Sequence, residues 1–361
     1  MQLRRLEVSN FRCIVNAAID PAPGLNVICG ENGAGKTSLL ESVYMLGFGR
    51  SFRTRIPQEA IRHGAEASQV QARVTEDAGG AVVVAVRRDR DGTAIRYGGK
   101  WLESAAELAI RLPVLLVTAD THAEIQSLPR ARRRWLDLTL FHVKPNYLAL
   151  WKRYMRSLKH RNFLLRNDAA ASLLQSWELE LASLADQLHQ ARARCADELL
   201  ALVKQMLHTV VDGAPDLQYF PGWDISQSYV ATLARNRGSD KAAGSTRQGP
   251  HRADIVFFVN GQPIAQWLSR GQSKLWGAIL LLAQAMFVGR CSVGRPIILV
   301  DDLASDLDLR GREILLAKLR ECGCQVFLTT VAPATLPLEG ELVTSMFHVK
   351  HGEIQEAAQV P

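Results

Sequence analysis

Residues 30–37 read Gly-Glu-Asn-Gly-Ala-Gly-Lys-Thr, and this short stretch limits the fold more than any other part of the chain. It matches the phosphate-binding pattern GxxxxGK[ST] at each fixed position. The flanks agree: apolar LNVIC (25–29) leads in as a buried strand, and SLLESVYMLG (38–47) leads out as a helix. The chemistry needs that order. Gly30, Gly33 and Gly35 let the backbone curl until its N–H groups converge on an anion. The loop then runs into a helix N-terminus, whose aligned dipoles favour negative charge. Lys36 would reach the β- and γ-phosphates, and the Thr37 hydroxyl would ligate Mg2+. The expected nucleotide contacts are therefore Gly30, Glu31, Asn32, Gly33, Ala34, Gly35, Lys36, Thr37 and Ser38, with a nucleoside triphosphate and Mg2+ as cofactors. The motif specifies nucleotide binding and leaves the kind of nucleotide enzyme open.

A second element has to supply the carboxylates. PIILVDD (296–302) runs an apolar strand straight into two acids, the layout of a Walker B strand. Asp301 would hold Mg2+ directly or through water. Asp302 stands where ABC-type ATPases place the carboxylate that polarises the attacking water. Most such enzymes carry Glu there; aspartate is one methylene shorter, so slow hydrolysis is expected. LASDLDL (303–309) resembles the D-loop that follows Walker B in these enzymes. WLSRGQSKL (267–275) resembles their LSGGQ signature: Ser269, Gly271 and Gln272 keep their places and Arg270 replaces a glycine. In these ATPases the signature opens a helix that faces the γ-phosphate held by the opposite subunit, so Ser269, Arg270, Gly271 and Gln272 join the expected contacts, and the same resemblance makes the triphosphate ATP. FLTTV (327–331) stands where a switch histidine is usual, with Thr329 or Thr330 in its place. Asn10-Phe11-Arg12 resembles an element of SMC heads, which gives Arg12 a phosphate-facing role. Singly, each has a plainer explanation: a strand ending in a turn, a Ser-capped helix, a surface arginine. Their order along one chain carries the argument, with Lys36, Asp301 and Asp302 as the catalytic set.

The rest of the 361 residues sorts by periodicity. Short β-branched runs separated by Gly and Pro fill the first 115 residues. From Arg130 to His208 the spacing is helical. One helix is expected over Tyr147–Arg166, with Trp151, Met155 and Leu158 on an apolar stripe and Lys152, Arg156, Lys159 and His160 on a basic one. A longer helix over 172–208 carries Leu174, Trp177, Leu181, Leu184, Leu188, Ala191 and Cys195 in steps of three and four. It is far too short for a coiled-coil arm. Residues 235–250 are polar and Gly/Ser-rich and read as a mobile loop. Strand–helix alternation then returns. The expected fold class is α/β: an ABC/SMC-type P-loop ATPase head assembled from N- and C-terminal portions, 1–115 and 246–361, with a helical second lobe, 116–245, inserted.

Lys and Arg outnumber Asp and Glu by 43 to 36, a net charge of +7 that suits a polyanionic partner without requiring one. The longest apolar run, 277–289, is shorter than a membrane span and contains Gln284. The opening residues lack the apolar core of a signal peptide. The scattered cysteines form no metal knuckle and read as reduced thiols. A cytoplasmic protein with no membrane partner is expected.

Three further segments resemble the RecF family: GRSFRT (49–54), LPVLLV with LPRARRRWLD (112–117 and 128–137), and QGPHRADIVF (248–257). Ala253 replaces an aspartate of the family pattern, and TADTH (118–122) replaces its SPED stretch. The resemblance spans essentially the whole chain. It implies an ATP-dependent homodimer that clamps double-stranded DNA near gaps, works with RecO and RecR to place RecA, and is released by slow, DNA-stimulated hydrolysis. For DNA contact the residues offer the run Arg130, Arg132, Arg133 and Arg134 and the helix face Lys152, Arg156 and Lys159. Neither reads bases, so sequence-independent binding is expected; the arginine run equally suits acids of its own fold. A transporter ATPase subunit, another SMC-like ATPase and a P-loop kinase remain as alternatives.

Overall fold

The computed structural model describes residues 1–77, 79–208, 213–264, 268–291, 294–302, 307–337 and 343–357. Two compact units emerge, Met1–Ala123 with Leu268–Pro361, and Glu124–Trp267.

Strict alternation builds the first sheet of the ATPase unit. In β4 (Ser68–Thr75), Val70, Ala72 and Val74 point inward and Gln69, Gln71 and Arg73 point outward. It lies between β1 (Gln2–Phe11), which also pairs with β2 (Ile14–Ile19), and β5 (Ala81–Arg88). β6 (Thr93–Tyr97) and β7 (Lys100–Trp101) complete an antiparallel sheet in the order β2-β1-β4-β5-β6-β7.

Continuous apolar runs build the second sheet. β3 (Leu25–Cys29), β8 (Val114–Thr118), β12 (Ile297–Asp301) and β13 (Val326–Thr330) are buried along nearly their whole lengths, as parallel strands covered on both faces must be. β14 (Val343–Lys350) and the antiparallel β15 (Glu353–Ala357) extend it, in the order β15-β14-β3-β13-β12-β8. The strands that carry the two nucleotide motifs, from opposite ends of the sequence, thus flank one strand, β13. Helix α1 (Lys36–Phe48) packs against β1, β4 and β5 on one side and β8, β12 and β13 on the other. That position explains why it is buried nearly all round. α2 (Ala105–Arg111) packs beside it. α9 (Arg270–Cys291) and α10 (Leu309–Glu321) return after the insert and pack together. Within α9, Gly271–Cys291 is long and apolar enough to cross a membrane, an attribute that counting the uninterrupted run misses. Its most apolar window is 72% buried inside the unit, as a core helix is.

α3 (Ala119–Ser127) leads into the second unit. There α4 (Pro129–Val143) and α5 (Tyr147–Arg166) pack on the 37-residue α6 (Ala171–Leu207), whose Leu181, Leu184, Leu188, Ala191 and Cys195 form the buried stripe. The apolar face of α5 differs from the expected one. Tyr147, Tyr154, Leu158, Arg161 and Leu165 are buried, whereas Met155 is exposed and Trp151 half-buried. The aromatic rings and a paired arginine, rather than the aliphatic spacing, turn the helix. The segment 246–267, which the sequence suggests joins the C-terminal ATPase portion, lies in this unit. Its β10 (Asp254–Val259) pairs with β9 (Pro215–Phe220) and β11 (Gln262–Pro263) in a three-stranded sheet. The mobile loop expected over 235–250 is instead ordered around α7 (Tyr229–Arg235) and α8 (Arg237–Ala243). The Ser228 hydroxyl caps α7. Buried Asp240 accepts from Arg161 at 2.7 Å and from the Arg247 amide at 3.0 Å. A polar composition here serves an internal ion-pair network, which Glu178, Thr246 and Arg237 complete.

Candidate nucleotide site

The loop after β3 needs glycine at two places in particular. A Cβ on Gly30 would lie 2.3 Å from the Val349 carbonyl oxygen, because β14 runs against the loop. Gly35 has φ 118°, a left-handed conformation, and ends the loop as the N-cap of α1. No side chain caps that helix, so its first-turn N–H groups face the loop's own hollow, as an anion site requires. Glu31, Asn32 and Gly33 are exposed along the rim; Ala34 is buried, and its carbonyl accepts from the Gly352 amide at 2.8 Å. The buried Lys36 ammonium donates to the carbonyls of Gly30 at 2.8 Å and Glu31 at 2.9 Å. It is thus folded over the loop, one donor group away from whatever the loop encloses. Ser38 meets Cys13, oxygen to sulfur, at 3.7 Å.

The ends of β12 and β13 close the opposite side. The hydroxyls of Thr37 and Thr329 both donate to Asp301 Oδ1, at 3.1 and 2.9 Å. The Asp302 amide donates to Thr329 Oγ1 at 2.8 Å, and Asp302 has φ 48°. Burial raises the pKa of Asp301 above the ordinary carboxylate value, the two threonine hydroxyls oppose that shift, and Asp302 adds to it. A half-buried carboxylate beside a threonine hydroxyl is an oxygen donor pair of the kind Mg2+ takes. Thr37 and Asp301 are the residues that would hold the ion, which would supply charge neutralisation for phosphate oxygens. Of the two threonines noted in FLTTV, Thr329 faces the cleft.

Lys36, Thr37, Asp302, Thr329 and Arg12 border one cleft of about 560 Å³, the size of a small-molecule site. Arg12 sits in a tight turn with φ 54°, and Glu41 on α1 grips it through two hydrogen bonds. Arg53, Glu59, Ile61, His63 and Cys13 also line the cleft and were not singled out from the sequence as contacts. Arg53 does stand inside the GRSFRT segment. The others carry no spacing signal: Cys13 comes in beside Arg12 on the turn between β1 and β2, and a turn around Pro57–Ala60 brings in Glu59, Ile61 and His63 by pairing Ile61 with Phe11.

The signature residues lie elsewhere. Ser269 and Gln272 form a capping box at the start of α9: the Ser269 amide donates to Gln272 Oε1 at 3.0 Å, and the Gln272 amide donates to Ser269 Oγ at 3.3 Å. Neither they nor Gly271 border the phosphate cleft. Trp267, the Arg270 side chain and residues 303–306 of the D-loop-like stretch lie outside the described residues. In the second unit the arginine run divides. Arg132 forms a bidentate pair with Asp254 at 2.8 Å and binds the carbonyls of Ile125 and Gln126, while Arg133 binds the Ala253 carbonyl at 2.7 Å. These two are anchored within their own unit by carboxylate and carbonyl oxygens. Arg130 and Arg134 are exposed, as are Lys152, Arg156 and Lys159 on α5. His160 stacks on Trp177 with centroids 4.3 Å apart.

A buried parallel strand feeding a glycine loop, a second strand ending in paired aspartates, and a capped signature-like helix apart from both define a P-loop ATPase head of the SMC type. The family model of the RecF/RecN/SMC N terminal domain matches residues 2–355. The chain is 37% identical over 357 residues to the DNA replication and repair protein RecF of Thioalkalivibrio sulfidiphilus, covering 98% of this chain and 99% of that one. It is 35% identical over 365 residues to RecF of Pseudomonas aeruginosa, covering 100% and 99%. The chain belongs to the RecF family. Its fold is also that of a solved structure described as the recombination mediator protein RecF-ATP in the RecFOR pathway, with TM-score 0.86, 24% identity, and coverage of 99% and 97% of the two chains. An SMC head bound to the C-winged helix domain of ScpA shares it more distantly, at TM-score 0.62 and 14% identity, with coverage of 99% and 97%.

Proposed function

We propose that this chain is an ATP-driven DNA clamp of recombinational repair, acting in the cytoplasm. Two copies close on ATP, each nucleotide lying between the glycine loop of one and the Ser269–Gln272 helix start of the other, and the dimer grips double-stranded DNA near single-stranded gaps. The observation that carries this reading is the separation just described. The phosphate cleft has Lys36, Thr37, Asp302 and Thr329, yet the helix start at Ser269, which by its resemblance to the ABC signature would face a phosphate, lies outside it, and a second copy would complete the site.

The roles follow from position. Backbone N–H groups of 30–38, with Lys36, hold the phosphates, and Arg12 stands in the cleft wall beside them. Thr37 and Asp301 hold Mg2+. Asp302, reached through Thr329, orients water for a slow hydrolysis that opens the clamp. The relatives' name as replication and repair proteins, and the pathway named for the RecF-ATP structure, support RecO- and RecR-type mediators as partners and RecA as the protein ultimately placed on the gap. Exposed Arg130, Arg134, Lys152, Arg156 and Lys159 are the candidate phosphate contacts on the helical unit; Arg132 and Arg133 are withdrawn from that role by their internal partners.

Light scattering of the intact protein tests the reading. The mass doubles with ATP and Mg2+, stays monomeric with ADP, and stays monomeric with ATP in Ser269→Arg, whose bulk blocks the opposing phosphate. An ATP dimer of normal affinity in that variant would remove the signature from the interface.

A further inference from the structure

Glu41 lies on α1 one helical turn beyond Thr37 and is fully buried, although it is a charged residue and belongs to no phosphate-loop pattern. Its carboxylate gathers three separate pieces of chain. Arg12, from the turn after β1, donates from Nη2 to Oε1 at 2.8 Å and from Nε to Oε2 at 3.0 Å. Ser51, from the loop after α1, donates its hydroxyl to Oε1. The Arg53 guanidinium stands 3.6 Å from Oε2. Ser51 also accepts from the amides of Arg53 at 2.9 Å and Thr54 at 3.1 Å, so the same hydroxyl that bonds Glu41 shapes the loop presenting Arg53.

The two arginines are held unequally. Arg12 is in a bidentate, largely buried pair, the strong form of this interaction. Arg53 is beyond hydrogen-bond length, 46% exposed, and borders the nucleotide cleft. One carboxylate cannot satisfy two guanidinium forks. A buried carboxylate keeps the partner that satisfies it best, because losing that partner strands its charge. The loosely held guanidinium is the one free to move to a different anion.

We infer that Glu41 is a positioning residue for nucleotide: it locks Arg12 in the cleft wall and holds Arg53, through Ser51 and through charge, where Arg53 passes to the phosphates. The inference rests on the ATP reading above and adds a residue through which the cleft is charged.

The test titrates a fluorescent ATP analogue into the full-length wild type, Glu41→Gln, Glu41→Asp, Ser51→Ala, Arg53→Ala and the double variant Glu41→Gln/Arg53→Ala, with Ser51→Ala/Arg53→Ala beside it and thermal unfolding recorded for each. Glu41→Gln and Arg53→Ala should each weaken binding about tenfold, and the double variant should bind no worse than Arg53→Ala, because both changes remove one coupled interaction. Glu41→Asp should recover part of the loss. Ser51→Ala leaves the buried charge paired and covers the case in which Glu41→Gln folds poorly; it should weaken binding by less, and not at all in an Arg53→Ala background. Wild-type affinity in a folded Glu41→Gln, or losses that multiply in the double variant, would overturn the positioning role while leaving the ATP site intact. A wild type that takes up no nucleotide would overturn both.

Discussion

At the scale of single residues, the site depends on groups that are already turned toward one another. Lys36 spends its donors on two loop carbonyls, so phosphate oxygens need only replace acceptors that are in place. Lys36→Arg keeps the charge but exchanges a compact ammonium for a planar fork that cannot make the same turn. It should retain part of the nucleotide binding and lose hydrolysis by roughly 100-fold or more, measured as phosphate release under saturating ATP; hydrolysis at the wild-type rate would remove Lys36 from the site. Asp302→Asn should leave dimerisation intact and slow release from DNA, measured by chasing a preformed complex with competitor; release at the wild-type rate would deny Asp302 its role. Lys36, Thr37, Asp301 and Asp302 were legible in the sequence because phosphate and metal chemistry dictate both residue type and spacing. Glu41 and Arg53 were not. A single acid in an apolar helix has no periodicity that names its partners, and those partners lie before β2 and after α1. The roles of Arg132 and Arg133 were left open for a related reason: a run of arginines looks the same whether its acids are a nucleic acid's phosphates or Asp254 of its own unit.

At the scale of elements, length and period specified most helices well. α5 falls on the expected span, and α6 falls within a residue of its own. Fully apolar strands were legible too, since only a two-sided sheet tolerates them. The stretch 235–250 was misread because polar residues signal a loop only when their partners are water. His251, in the neighbouring turn, shows what the internal partners do. Its ring lies 2.7 Å from the Tyr154 hydroxyl and 2.9 Å from the Thr246 carbonyl. Burial pulls its pKa down to about 4; the Thr246 carbonyl opposes, Arg252 and Arg133 add to the depression, and Asp240 opposes. The ordinary value is 6.5, so the unfolded chain takes the proton first. The stability this neutral histidine contributes is complete above pH 6.5 and is lost as pH falls toward 4, by at most about 1.4 kcal/mol per pH unit. His251→Gln should therefore show a shallower fall in denaturant midpoint between about pH 7 and pH 5 than the wild type. Equal slopes would place the acid sensitivity elsewhere.

At the scale of the whole molecule, the chain leaves its first α/β portion, builds a helical unit with its own small sheet, and returns to finish the ATPase sheet it began. The return was legible from motif order, because a glycine loop without its acidic strand is an incomplete site. The point of return was not. β10 is as apolar as an ATPase-sheet strand, and only its pairing with β9, a short mixed-polarity strand without a clear pattern, assigns it to the helical unit. The central claim is that ATP gates the grip on DNA. It is tested most directly by binding of the full-length protein to labelled duplex, single-stranded and gapped DNA, with and without ATP and Mg2+, at two salt concentrations, beside Lys36→Arg. The account predicts tight binding to duplex and gapped DNA that requires ATP, weakens steeply with salt as counterions are released, and loses its normal ATP response in the variant. Binding indifferent to ATP, or none to any of the three DNAs, would contradict it.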